Sequence, residues 1–142
     1  MTLTRSDTEV SRSVELDAPP AEVWDALTEE ALLAEWLADE VELDAEPGGE
    51  IVCRYADGEE RRGEVELVEE AERLAWSWRR EGGSTSRVEL VLDAVADRTR
   101  LTVIETAPVI ETAPLRATGP LPAATWAAPL ARLRHAVRLV LA

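Results

Sequence analysis

The chain predicts an α+β domain in which a curved antiparallel sheet wraps around a long C-terminal helix, with two short helices after the first strand. Three observations predict it. Period-two alternation recurs from residue 51 to 106, broken by turn residues. Two short amphipathic stretches, 20–28 and 29–37, separate a first alternating segment from that meander. Trp126, Leu130, Leu133, Val137 and Leu141 then keep helical spacing to the end. Five or six strands make a sheet roughly 25–30 Å across at 4.8 Å per strand, whereas one helix is about 10–12 Å wide. The sheet must curl around the helix, and a cleft remains where the curl is incomplete.

Each element has its own warrant. Val10, Val14 and Leu16 alternate with Ser11, Ser13 and Glu15 in a half-buried strand over Val10–Asp17. Pro20 suits a first helical position, and Val23, Ala26 and Leu27 make an i, i+3, i+4 stripe. Leu32, Leu33, Trp36 and Leu37 form the apolar side of the second helix. Val41–Leu43 is a further short strand, and "EPGGE" and "ADGEE" bracket one at Ile51–Tyr55. Strands follow at Gly63–Val68 (Val65, Leu67 inward), Leu74–Arg79 (Leu74, Trp76, Trp78 inward), Val88–Leu92 and Arg100–Thr106, with "EGGSTS" as a hairpin loop. The outward Glu64, Glu66, Arg79, Arg87 and Glu89 can pair across strands, at roughly 0–1 kcal/mol each. Pro129 fits the last helix if Thr125 is its N-cap.

At 142 residues the chain is expected to be one domain, 1–142, with a core that needs no staples. Cys53 stands alone, so no internal disulfide forms, and with the polar start "MTLTRSDTEV" this points to a reducing cytoplasm. No apolar run approaches the roughly 18 residues of a membrane span. The formal net charge of −14 repels a phosphate backbone, so neither nucleic acid nor membrane is expected as a partner. All 15 basic residues are Arg, and Lys, Asn, Gln and Phe are absent, a bias that fits GC-rich coding.

The cleft should be lined by Tyr55, Trp76, Trp78, Leu90, Val103 and Trp126, with Trp36 and Leu130 at its margins. The alternative is that Trp simply supplies the core's bulk where Phe is missing. Two charged residues share the inward parity: Arg12 with Val10 and Val14, and Glu105 with Leu101 and Val103. They could pair with each other, contact the polar end of a ligand, or snorkel to solvent from the strand ends. Nucleophilic catalysis wants a Ser or Cys beside a base. Cys53 reads as a buried structural thiol, and His135, about 180° from Trp126 on the helical wheel, should face water. No His/Cys cluster has metal-ligand spacing, and "PGGE" and "EGGS" are turns rather than phosphate cradles, so neither metal nor cofactor is expected.

The stretches "LDAPPAEVWDALTEEALLAEWL", "PGG", "DG", "RGEVELVEEAERLAWSW" and "TRLTVIE", followed by a helix opened by Trp126, resemble the helix-grip (START-like, SRPBCC) superfamily. Within it the chain is similar to the bacterial branch related to the C-terminal domain of the heat-shock-protein-90 ATPase activator. The resemblance implies a β-α-α-β-meander-α fold whose cavity takes apolar small molecules in various members. Two stretches depart from the family pattern. Trp36-Leu37-Ala38-Asp39 stands where a Trp-Trp-Gly-Pro-like stretch is usual, and Thr125-Trp126 where Gly-Trp is usual. Three functions follow: binding of an apolar ligand without catalysis, a co-chaperone-like interaction module, or a cyclase/hydratase-type enzyme. The enzyme would have only Glu105, Arg12 and Tyr55 for acid–base work.

Residues 103–114 read "VIETAPVIETAP". The first copy should finish the last strand, because Pro108 has no N–H for the ladder. The second copy falls in the connector to the helix, where slippage in coding accounts for its presence and extra length costs little. Its Val109 and Ile110 are expected to cover the cleft mouth or meet a second subunit in a homodimer.

Overall fold

The computed structural model describes residues 7–80, 82–108 and 124–141. Seven strands and three helices follow the predicted order: β1 (Asp7–Leu16), α1 (Pro20–Thr28), α2 (Glu30–Trp36), β2 (Glu40–Leu43), β3 (Glu50–Arg54), β4 (Glu60–Glu69), β5 (Arg73–Arg80), β6 (Ser86–Val95), β7 (Arg98–Pro108) and α3 (Ala124–Leu141). All strands join one antiparallel sheet in the order β1-β7-β6-β5-β4-β3-β2. This is the helix-grip arrangement: the curved sheet holds α3, and α1 and α2 bridge from the β1 edge to the β2 edge.

The strands run longer than the alternation alone suggests. β1 begins at Asp7, and its partner β7 continues to Pro108, which lies opposite Asp7. Within the described residues the ladder runs to a residue without an N–H, Pro108, at the end of the first VIETAP copy. Val109–Pro114 and the connector to α3 lie outside the described residues.

Curvature is built into β4. Its register against β5 shifts between Val65 and Leu67, and such a bulge bends the strand and deepens its twist. The shift also explains Leu67, expected fully inward, which is only half-buried while Val65 is enclosed. Two residues earlier Gly63 faces Trp78, and a Cβ there would collide with the Ser77 carbonyl oxygen. Glycine is required by that close backbone approach.

α3 begins at Ala124, ahead of the expected cap at Thr125, so Pro129 lies past the first turn and leaves the Thr125 carbonyl without its i+4 donor. Its Trp126, Leu130, Leu133 and Val137 are buried, as the spacing requires. The apolar stripes of α1 and α2 are likewise interior except Leu32, which is half-buried, and the Trp36 indole N–H donates to the Ala26 carbonyl at 2.9 Å. Of the outward charges, Arg87 pairs with Glu66 at 2.8 Å and Glu89 at 3.3 Å. Glu64 faces Ser77 and Arg79 faces Arg62, so neither of these meets an opposite charge across the strand.

Candidate functional site

The concave face of the sheet carries a cluster of indoles organised around one carboxyl group. Glu105, from β7, is only 1% exposed. Its Oε1 accepts a hydrogen bond from Trp126 Nε1 at 2.9 Å, and its Oε2 accepts from Trp78 Nε1 at 3.0 Å and from Ser86 Oγ at 2.6 Å. An indole N–H can only donate, so Glu105 is committed as acceptor at both oxygens. Register explains the convergence. β5 and β6 pair so that Trp78 faces Ser86, and β6 and β7 pair so that Val88 faces Glu105.

The rings are ordered as closely as the polar atoms. Trp78 and Trp126 stack with centroids 6.3 Å apart and planes 17° apart. Trp76 meets Trp78 edge-on at 5.5 Å. The guanidinium of Arg61, from β4, lies 4.9 Å from the Trp78 centroid and 5.8 Å from that of Tyr55, within cation–π range. Leu90 and Val103 complete the wall and are fully enclosed. Among the described residues one buried side-chain polar atom stays unmatched: Trp76 Nε1 has no hydrogen-bond partner.

The set of residues expected at the cleft thus separates into two groups. Trp36, Tyr55, Trp76, Trp78, Leu90, Val103, Glu105 and Trp126 belong to the interior, Tyr55 at its half-buried edge. Arg12 does not join Glu105. Its backbone faces Val103 and its side chain is exposed. It lines an open groove of about 430 Å³ between β1 and α3, with Ser13, Val14, Ala127, Leu130, Ala131, Arg134 and His135. Leu130 therefore belongs to both groups, and His135 is exposed at the groove.

Ser86 and Arg61 were not anticipated from the sequence. Ser86 lies in "EGGSTS", read as loop, yet it shares the parity of Val88, Leu90 and Leu92. Arg61 shares the parity of Gly63 and Val65. Both signals were present once the strands were extended to their true ends.

The acid–base groups do not assemble. Glu105 is engaged by three donors, Arg12 lies elsewhere, and burial pushes the Tyr55 hydroxyl well above its ordinary range. Burial likewise pushes the Cys53 thiol up to about 12, with the Arg61 charge pulling the other way. Among the described residues no three His, Cys, Asp or Glu side chains converge on a point that could hold a metal ion. Among the same residues no helix is long and apolar enough to cross a membrane.

Solved structures share this architecture. DynU16, a protein of the dynemicin biosynthetic locus, is 28% identical with a TM-score of 0.80 over 94% of this chain, which spans 48% of that protein's length. MLL2253 from Mesorhizobium loti is 21% identical with a TM-score of 0.80, covering 92% of this chain and 97% of its own. The Aha1 dimer from Colwellia psychrerythraea is 19% identical with a TM-score of 0.70, covering 91% and 95%. At such identities the last two likenesses are of fold. No curated protein sequence matches the chain significantly. The model of one family, described as activator of Hsp90 ATPase homolog 1-like protein, matches residues 17–137. That span runs from the end of β1 through most of α3 and includes the whole indole cluster, so the chain belongs to the activator of Hsp90 ATPase homolog 1-like family.

Proposed function

We propose that this chain is a small-molecule-binding domain of the reducing cytoplasm, without strong catalysis of its own. Its ligand is apolar, carries one hydrogen-bond acceptor such as a carbonyl, and contacts the indole cluster. The observation that carries this reading is Trp76 Nε1. Buried donors are nearly always paired, and leaving one unmade costs about 1–3 kcal/mol. In an indole cluster where the N–H groups of Trp78 and Trp126 both have an acceptor, a ligand carbonyl is the partner that would remove this cost. The three hydrogen bonds to Glu105 support it by holding the surrounding rings in fixed orientations, which lowers the ordering cost of binding.

A module that engages a chaperone or a second copy of the chain is the second reading. It rests on the family's description and on the dimer formed by the Colwellia protein. A cyclase- or hydratase-type enzyme is less well supported, because Glu105, Arg12 and Tyr55 are not brought to one point.

Two measurements test the first reading. Native mass spectrometry of the gently purified protein should show a co-purifying small molecule. The neutral, carbonyl-bearing fluorophore prodan should bind saturably, and Trp76→Phe, which keeps an aromatic ring but removes the N–H, should weaken it about tenfold (~1.4 kcal/mol). Absence of both a bound molecule and saturable prodan binding would overturn the reading. Equal affinity in Trp76→Phe would overturn the part assigned to Trp76.

A further inference from the structure

The groove between β1 and α3 has a charge opposite to that of the rest of the molecule. The chain carries 29 acidic and 15 basic residues, and Arg54, Arg61, Arg62, Arg73, Arg87, Arg98 and Arg100 are each engaged by a carboxylate within 4.0 Å. Arg12 and Arg134, like Arg79, Arg80 and Arg132, have no such partner among the described residues. Arg12 and Arg134 both line the same groove, with His135 beside them and, among the described residues, no Asp or Glu in its walls.

The rest of the lining is apolar for a structural reason. Ala127 and Ala131, one helical turn apart on α3, contribute only methyl groups to the lining, which Val14 and Leu130 complete as its apolar part. At about 430 Å³ the groove falls within the roughly 300–1,000 Å³ of ordinary ligand sites.

We infer that this groove is a second binding site, selective for a small amphipathic carboxylate. The acid head would take bidentate hydrogen bonds from Arg12 or Arg134, and a short apolar tail would lie on Val14, Leu130 and the two alanines. The acidic surface elsewhere does not prevent this. At physiological ionic strength, exposed charges beyond about 8 Å are largely screened, whereas the groove's guanidinium groups act at contact distance. The site is independent of the interior reading, since the interior is probed through Trp76 and the groove through Arg12 and Arg134.

Octanoate is the probe, with octan-1-ol as its uncharged counterpart and inorganic phosphate as a head without a tail. Wild-type protein should bind octanoate saturably and at least tenfold more tightly than either control, shifting the amide resonances of Val14, Ala127 and Ala131. The exposed pair Arg12→Gln/Arg134→Gln should lose at least tenfold for octanoate and leave prodan binding unchanged. Arg12→Lys/Arg134→Lys should keep part of the affinity. Unchanged circular dichroism would establish that the variants are folded. Octanol binding as tightly as octanoate, phosphate binding as tightly as octanoate, or full octanoate affinity in the Gln double variant would each overturn the assignment. So would the absence of octanoate binding.

Discussion

Trp126 donates its indole N–H to Glu105 Oε1 at 2.9 Å, which ties the first turns of α3 to the last strand through a bond sealed from water. Replacing Glu105 by Leu removes the acceptor for Trp126, Trp78 and Ser86 together. With buried donors costing about 1–3 kcal/mol each when orphaned and some relaxation, the loss should be about 2–4 kcal/mol in urea unfolding. Glu105→Gln should lose less, because its one carbonyl oxygen still serves part of the cluster. A loss below about 0.5 kcal/mol for Leu would mean that these hydrogen bonds do not hold α3 in place.

Gly63 permits the close approach of β4 to β5. Its Cβ position is occupied by the Ser77 carbonyl, opposite Trp78. Gly63→Ala must push β4 away from β5, and overpacking of this kind costs about 1–3 kcal/mol. The nearby Glu64→Ala, on the exposed side, should change the urea midpoint little. Equal effects of the two would show that the approach at Gly63 is not a constraint.

Cys53 makes stability fall at alkaline pH. The native thiol holds its proton up to about 12, while the ordinary value is 9.0. Above pH 9 the unfolded chain therefore binds fewer protons than the native one, and stability declines from pH 9 towards 12. Tyr55, raised in the same direction, adds to the decline. Cys53→Ala should flatten the curve measurably between pH 9 and 11 and leave its shape near pH 7 unaltered. At pH 8 a disulfide reagent should label the unfolded chain and spare the native one; fast labelling of both would contradict the burial.

Deleting Val109–Pro114 should leave folding intact. Pro108, opposite Asp7, has no N–H to carry the ladder further, and the deletion removes none of the pairs described for β7. Shortening a connection of this size changes closure entropy by less than about 0.6 kcal/mol. The melting temperature should move by no more than about 2 °C. Loss of cooperative unfolding would mean that the second copy contributes to the sheet.

Element order, strand parity and the apolar face of α3 were legible in the sequence, because burial imposes its period on each segment separately. Val10, Trp76, Trp78, Leu90, Val103 and Leu133 could be assigned inward from that alone. The partners of Glu105 could not. They depend on the register of three strand pairs and on the rotation of α3, which no local pattern records. The bulge between Val65 and Leu67 was hidden for the same reason, since a single slip in phase looks like ordinary variation in a strand of alternating Glu and aliphatic residues. Arg12 shows the opposite failure. Its parity was inward, but it lies on an edge strand beside a helix face of alanines, where inward parity leads to a groove open to water.

The near-parallel stack of Trp78 on Trp126 makes the molecule report optically on its own assembly. The two chromophores come from β5 and α3 and have no neighbourhood in common until the helix is seated. Exciton coupling between them should add a component to the far-ultraviolet circular dichroism spectrum that is lost when the helix leaves the sheet, whereas the coupling of Trp76 with Trp78, both on β5, persists as long as the strands remain paired. Seating of the helix and formation of the sheet can therefore be followed as separate events in the same chain, with no label attached.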